Sequence, residues 1–465
     1  MQSTTMTRRG FLASTATIAA GAALADKKEG NPRPNILLIT TDQQHWMARG
    51  AADPFFSTPA MDALARSGVV FDHAFCTTPQ CSASRASLYT GLYPHKTLVV
   101  TNLGGTTHLG KEQTALPPTF ETIGSRLRAT GYRTAYFGKW HLGSIDHYAT
   151  HFDRGAPDSE AHAGATDKAI ATMRDWAASP GQPFCVCVNY INPHDVYDFT
   201  KEAEKGTVAP KGSVPHPASW GETFNNKPSP QRVFAEEEQG RFLKNKPDAL
   251  WEAYREFYRD KVRLADTELG RLLDHLDASG LRDNTVVLFT SDHGDMDTRH
   301  RLVFKGPFMY ENLVRIPFIM RVPGGAPGTA DRFVTPCDVL PTLCALAGAE
   351  AGETDGLSLA AGLGGGLYPD RGFVVGEYYG KQKWVNPIRM CRTREWKYNR
   401  YLVHGEELYD LKNDPDEMVN LAADAGYKAN RDELSGVLDQ WMAKNADVDF
   451  ATYWPTNRDG TRYTG

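Results

Sequence analysis

The chain has 465 residues, of which 41% are hydrophobic and 23% charged, with 51 Lys plus Arg against 56 Asp plus Glu and a net charge of -5. That composition supports a sizeable globular core and excludes general disorder. The slight acid excess, with a pI near 6.3, excludes broad electrostatic adhesion to nucleic acid or anionic lipid.

The first segment with a readable pattern is Thr7-Arg8-Arg9-Gly10-Phe11-Leu12, followed by a weakly polar run that closes on Ala23-Leu24-Ala25. A basic start, an apolar stretch and a small-x-small cleavage site in that order predict a twin-arginine signal over residues 1–25. The run is too short to span a bilayer core of about 30 Å, so no membrane span is expected. The expected product is a periplasmic or secreted bacterial protein whose partner in export is the twin-arginine machinery.

Asn35 to Thr41 is an unbroken apolar run ending at Asp42. It reads as a strand buried on both faces, as in a parallel sheet. Similar runs follow at Thr134 to Phe137, Phe184 to Tyr190, Thr285 to Thr290 and Ile316 to Arg321. Helix-spaced apolar residues lie between them, at Met61 to Ser67, Thr119 to Thr130, Ala165 to Ala178 and Trp251 to Ser279. Gly68, Gly131 and Gly280 stand where C-caps are expected. This alternation predicts an α/β domain over residues 34–350 built on a mostly parallel sheet flanked by helices. Ligands of such sheets bind beyond the carboxyl ends of the strands. That rule singles out Asp42, Lys139, His194 and Asp292.

Residues 201–248 are polar and rich in Pro, Gly and charge, and read as a long surface insertion shaping the pocket mouth. Gly352 to Pro369 reads as a connector. Residues 370–465 read as a small α+β subdomain, with strands at Phe373 to Tyr378, Ile388 to Arg392 and Trp396 to Tyr401, packed by a helix from Asp432 to Lys444. There are seven cysteines, an odd number, too few for a disulfide framework. Cys185 and Cys187 fall two apart on a strand and should face the same way. Cys81 is the candidate for a thiol with its own chemistry.

Cys81-Ser82-Ala83-Ser84-Arg85 leads into Ala86-Ser87-Leu88-Tyr89, a predicted helix start. Unpaired N–H groups at such a start favour an anion, and Arg85, one turn on, falls on the same side. These residues, continued by Leu88-Tyr89-Thr90-Gly91-Leu92-Tyr93-Pro94-His95, resemble the signature of type I sulfatases, members of the alkaline phosphatase-like superfamily. The resemblance implies that Cys81 is oxidised to Cα-formylglycine. Ala83 stands where the commoner signature has Pro, a variant similar to substrates of the radical-type maturation system. A radical-type formylglycine-generating maturase is thus an expected partner.

Other segments extend the resemblance, which runs from about Asn35 to Leu421. Asp42-Gln43 and Ser291-Asp292-His293-Gly294-Asp295 resemble the family's metal segments. They imply Asp42, Gln43, Asp292, His293 and the modified Cys81 around one divalent cation. Hard oxygen donors favour Ca²⁺ or Mg²⁺, with Ca²⁺ expected first, and the imidazole leaves Mn²⁺ open. Gly138-Lys139-Trp140-His141-Leu142-Gly143 implies Lys139 on a sulfate oxygen and His141 on the free hydroxyl of a covalent intermediate. Asn192-Pro193-His194 implies a sulfate-binding His194 near the leaving group. The segment from Phe304 to Glu311 implies that Lys305 contacts the ester, with His300 behind it. The run from Glu407 to Leu421 resembles the family's tail and reads as a structural turn.

The implied activity is hydrolysis of a sulfate monoester through a formylglycine hydrate and a sulfo-enzyme intermediate. Within the superfamily the alternative is a phosphonate monoester or phosphodiester hydrolase. Outside it, the alternative is a non-catalytic glycan-binding relative with unmodified Cys81. Trp220, Phe224, Tyr378, Tyr379 and Trp384, from the insertion and the tail, are expected to line a pocket for a sugar or aryl leaving group. A sulfated carbohydrate is the preferred substrate.

Overall fold

Continuous burial of the apolar runs assembles eight strands into one sheet. They are β1 (Asn35–Asp42), β2 (Val69–Ala74), β3 (Arg133–Gly138), β4 (Arg154–Pro157), β5 (Phe184–Pro193), β6 (Thr285–Ser291), β7 (Phe318–Arg321) and β8 (Gly328–Val334). The computed structural model describes residues 33–157, 163–179, 181–209, 214–447 and 453–464. The expected export signal lies outside them. Across the sheet the order is β4-β3-β5-β1-β6-β7-β2-β8. All neighbours are parallel except β7, which runs against both β6 and β2.

Alternate residues of β1 serve two cores. Ile36 and Leu38 pack on one face of the sheet, Leu37 and Ile39 on the other. Cys185 and Cys187 do lie on one face, with Val186 and Val188 opposite. Register brings the ends of three central strands level: Asp42 pairs with Pro193 of β5, and Thr41 with Ser291 of β6. Asp42, His194 and Asp292 therefore emerge side by side. All seven cysteines are buried thiols without disulfides.

Several boundaries moved for local reasons. The run from Ile316 becomes a strand only at Phe318, after Pro317, whose nitrogen has no proton for the ladder. The helix expected from Thr119 starts at Ile123, because Thr122 caps it by accepting from Ser125 N. Gly131 and Gly280 do adopt left-handed φ, at 88° and 70°. Gly68 is extended at φ -135°, since it leads straight into β2. The insertion is not a bare loop. It holds helices at Phe199–Glu204 and Ser229–Glu237 and short turns at Ala218–Gly221 and Gln239–Leu243.

The tail forms a second sheet, β9 (Val374–Lys381), β10 (Trp384–Arg392), β11 (Trp396–Tyr401) and β12 (Glu406–Asp410), antiparallel in the order β12-β11-β10-β9. β12 occupies the start of the segment expected to be only a turn. The expected helix is present at Lys428–Asn445. One face of this sheet gives Tyr378, Ile388 and Met390 to the large core. The other packs Val375, Cys391, Tyr398 and Leu408 against Leu434 and Leu438. Among the described residues, no helix is long and apolar enough to cross a membrane.

The helix Pro59–Ser67 shows how distant elements tie together. Thr58 provides no side-chain cap. Instead Asp266, on the helix Asp248–Ala278, accepts from Ala60 N at 3.1 Å and Met61 N at 2.8 Å. Burial pushes the Asp266 carboxyl up to about 6, against the pull of those two N–H groups. A group raised in the fold stabilises it below its unfolded pKa, and the contribution is lost as pH rises through the folded value. Asp266→Ala should therefore cost about 1 kcal/mol. Asp266→Asn, whose one amide oxygen can accept from only one of the two N–H groups, should keep half of the cap and remove the stability gained on acidification from about pH 8 to about pH 4. Urea denaturation of both variants and the parent checks this; an Asn variant that tracks the parent through that window rules it out.

Candidate active site

The site is built on the helix Cys81–Thr90, all ten residues of which are buried. Gln80 is extended before it, and Gly91 closes it at φ 74°. Ser84 Oγ donates to Asp292 O at 2.6 Å, which fixes the helix against the end of β6. The first residue, Cys81, then faces the strand ends. Its Sγ is 3.1 Å from Lys305 Nζ, 3.2 Å from His293 Nε2 and 3.7 Å from Asp42 Oδ1. Burial and Asp42 push the thiol up, but Lys139, Lys305 and His293 outweigh them and hold it well below its usual value.

Arg85 does not point free into the pocket. Its Nη2 meets Asp42 Oδ2 at 3.1 Å, its Nε meets Asp292 Oδ2 at 3.0 Å, and its Nη1 donates to Lys139 O at 3.1 Å. It bridges the two carboxylates that the sheet brings together. Lys139 Nζ lies 2.5 Å from Asp42 Oδ2. The turn that delivers it needs Gly138, at φ 88°, because a Cβ there would sit 2.0 Å from Asn189 O. Burial raises the Asp42 carboxyl, yet Lys139, His194 and Arg85 hold it well below the carboxylate range. Asp292 is pushed up to about 6 by burial and by Asp42.

His293 Nδ1 lies 2.9 Å from Gly294 O, an obligate acceptor, so that nitrogen carries a proton and Nε2 faces Cys81. Burial and Lys305 push this imidazole down, but Asp292 and Cys81 push it up harder. Lys305 is likewise raised against burial by Cys81, Asp42 and Asp292. His194 goes the other way. Burial and Lys139 push it down to about 3, so its ring is neutral. His141 is half-buried at φ 55°, with Nδ1 unpartnered among the described residues.

Asp42, Cys81, Asp292 and His293 each offer a ligand atom, all within 4.8 Å of one another. Two carboxylates and an imidazole around a position for an oxygen at residue 81 fit a hard divalent cation. Gln43 is turned elsewhere. Its Oε1 accepts from Lys305 Nζ at 2.7 Å and its Nε2 donates to Asp295 Oδ2 at 2.7 Å.

Sequence reasoning missed three contributors. Asp295 receives Gln43, Tyr254 OH at 3.0 Å and Asp297 N at 2.7 Å, and burial pushes it up to about 7. Asn189 accepts from Tyr89 OH at 3.0 Å; its signal was a lone amide in an apolar run. Lys381, from β9, donates to Lys305 O at 2.9 Å, and nothing near it in sequence announced this.

The expected leaving-group aromatics are not in the pocket. Tyr378 lies in the large core, and Tyr379 packs on Tyr453 and beneath Arg389. Trp384 and Phe224 pack around Phe234 and Tyr310. Trp220 stacks on His216 at 4.0 Å. A sheet covered on both faces has no open side for such rings. His300 bonds Glu222 of the insertion at 3.1 Å. The cleft beside the site, about 580 Å³, is lined instead by Tyr197, Phe242 and Phe304 with charged residues of the insertion.

The family model "Sulfatase" matches residues 34–349, and "N-sulphoglucosamine sulphohydrolase, C-terminal" matches residues 299–444. The chain is 31% identical to a Delta 4,5-hexuronate-2-O-sulfatase of Bacteroides thetaiotaomicron, over 90% of this chain and 91% of that one. It is 28% identical to a choline-sulfatase of Rhizobium meliloti, over 84% and 82% of the two. Among solved structures, a 2-O GAG sulfatase aligns with a TM-score of 0.77 at 28% identity, covering 89% of this chain and 93% of that one. A phosphonate monoester hydrolase of Agrobacterium radiobacter shares the fold, with a TM-score of 0.69 at 23% identity over 89% and 96% of the two chains. A family model spanning most of the folded chain, and relatives that align along nearly their whole length, make this protein a member of the type I sulfatases, within the alkaline phosphatase-like superfamily, and so a sulfuric ester hydrolase.

Proposed function

We infer that the protein cleaves the sulfate monoester of a sulfated carbohydrate, with formylglycine made from Cys81 as nucleophile. One observation carries this reading: Cys81 Sγ sits 3.1 Å from a buried lysine and 3.2 Å from a buried imidazole, at a helix N-terminus beside two carboxylates. A thiol is a poor reversible handle for a sulfuryl group. A hydrated aldehyde supplies two geminal hydroxyls, one to attack sulfur and one whose deprotonation lets sulfate leave as the C–O bond breaks. Asp42, Asp292, His293 and residue 81 would hold a divalent cation, Ca²⁺ being favoured by the oxygen donors, and such a cation would supply charge stabilisation and Lewis acidity beside the nucleophile.

The chain's own residues do the rest. Lys139 and Lys305 neutralise the sulfate oxygens and strengthen their hold as negative charge builds on the bridging oxygen. Arg85 keeps both metal-binding carboxylates ionised and in place. His194, neutral before substrate arrives, donates an N–H toward the bridging oxygen, and the incoming negative charge favours its protonation. His141 takes the proton from the second hydroxyl. The hexuronate sulfatase relative, 31% identical, supports a sugar as leaving group. The N-terminal motif supports export to the periplasm or beyond, and Ala83 supports maturation by a radical-type enzyme.

Cys81→Ala should lower sulfate release at least about 10³-fold while leaving the melting transition in place. Peptide mass spectrometry of active protein should find residue 81 lighter by the difference between CH₂SH and CHO. A fully active enzyme with an intact thiol would sink the assignment, and so would an active Cys81→Ala variant. Lys139→Ala should cost about 10²-fold in kcat/KM. Exhaustive chelation should abolish turnover, and Ca²⁺ should restore it. Side-by-side rates on 4-nitrophenyl sulfate and a phosphonate monoester test the ester class; faster cleavage of the phosphonate would reverse the reading.

A further inference from the structure

We propose that the cleft beside the site seats the sugar ring bearing the ester, and that Arg241 and Lys246 on its wall bind a second anionic group of that substrate. The inference rests on the sulfatase reading of the Cys81 site and deepens it.

The cleft and the site share side chains. Its floor is Tyr197 stacked on Phe304 at 4.2 Å and 10° between planes, with Phe242 tilted against Phe304 at 5.7 Å. Lys305 follows Phe304 in the chain, and its Nζ lies 5.6 Å from the Tyr197 ring centre. The same tyrosine is 4.9 Å from the His194 ring. A leaving group pushed off sulfur between Lys305 and His194 therefore arrives over an aromatic floor, which suits the C–H face of a sugar.

The wall decides which sugar. Arg241 and Lys246 line the cleft and are exposed. Neither side chain makes an ion pair or hydrogen bond among the described residues. Of the cleft's acids, Glu238 is already engaged, 3.8 Å from Lys381 and accepting from Gln239 N, while Glu204 stands alone at the rim. Arg241 and Lys246 thus present two positive charges to the cleft with no counter-charge bonded to them. A neutral sugar offers them none. A carboxylate or second sulfate supplies one and gains charge-assisted hydrogen bonds. The substrate class is therefore a sugar monosulfate that also carries a uronate carboxylate, or a sugar disulfate.

Matured enzyme should be assayed on a hexuronate monosulfate, a hexosamine disulfate and a neutral hexose monosulfate, in low and high salt. The readout is the ratio of kcat/KM for each doubly charged substrate over the neutral hexose sulfate. Arg241→Ala and Lys246→Ala should each lower that ratio roughly tenfold, mainly through KM, and salt should lower it in the parent. Glu204→Gln should raise it. A fall confined to the hexuronate identifies the carboxylate as the bound group, and one confined to the disulfate identifies the sulfate. Ratios that stay within about twofold of the parent in both alanine variants overturn the subsite and leave the sulfatase reading standing. No sulfate released by the parent from any of the three sugars, nor from 4-nitrophenyl sulfate, overturns the sulfatase reading and the subsite with it.

Discussion

Two carboxylates at the ends of adjacent parallel strands, β1 and β6, meet in a space with no solvent. Burying one uncompensated charge costs several kcal/mol, and burying two like charges together costs more. One guanidinium resolves this. Arg85 reaches Asp42 with one nitrogen and Asp292 with another, at 3.1 and 3.0 Å. The helix that carries Arg85 must therefore dock over the strand ends, and docking it there puts Cys81 at the centre. The balance is uneven. Asp42 has Lys139 as well and stays strongly acidic, while Asp292, although the His293 imidazole and the arginine both favour its charge, is pushed up to about 6 by burial and by Asp42. A divalent cation bound by Asp42, Asp292 and His293 would add positive charge on the Asp292 side.

The small sheet is part of the same construction. β9 bonds the loop before Cys81, Glu377 N to Thr77 O at 2.7 Å. Its last residue, Lys381, holds the Lys305 carbonyl. Lys397 and Arg392 meet Glu311 at 2.8 and 3.0 Å, on the segment just after Lys305. Lys305, which meets Cys81, is thus set from behind by the tail. The second family match spans both, from residue 299 to 444.

The central strands were legible because a strand buried on both faces is apolar at every position. Short or half-exposed β2, β4 and β8 lack that signature. The positions of Asp42, Lys139, His194 and Asp292 followed from where the strands end. Their partners did not, because a side chain's direction depends on what it meets. Arg85 reads as a substrate-binding cation until the two carboxylates are seen beside it. Gln43 reads as an oxygen donor to a metal until Lys305 takes that oxygen. Tyr378 and Tyr379 read as pocket walls because the sequence does not reveal that both faces of the second sheet are covered. The aromatics that do line the cleft, Tyr197 and Phe304, come from segments on either side of the insertion.

One consequence concerns how the molecule is made. Cys81 is 1% exposed, every residue of its helix is buried, and β9 is bonded to Thr77 just before it. If residue 81 is oxidised as proposed, the oxidising enzyme would have to reach it before this helix is buried. Oxidation and folding would then compete for the same ten residues. A copy that folded first would stay a thiol, and specific activity would record which process won.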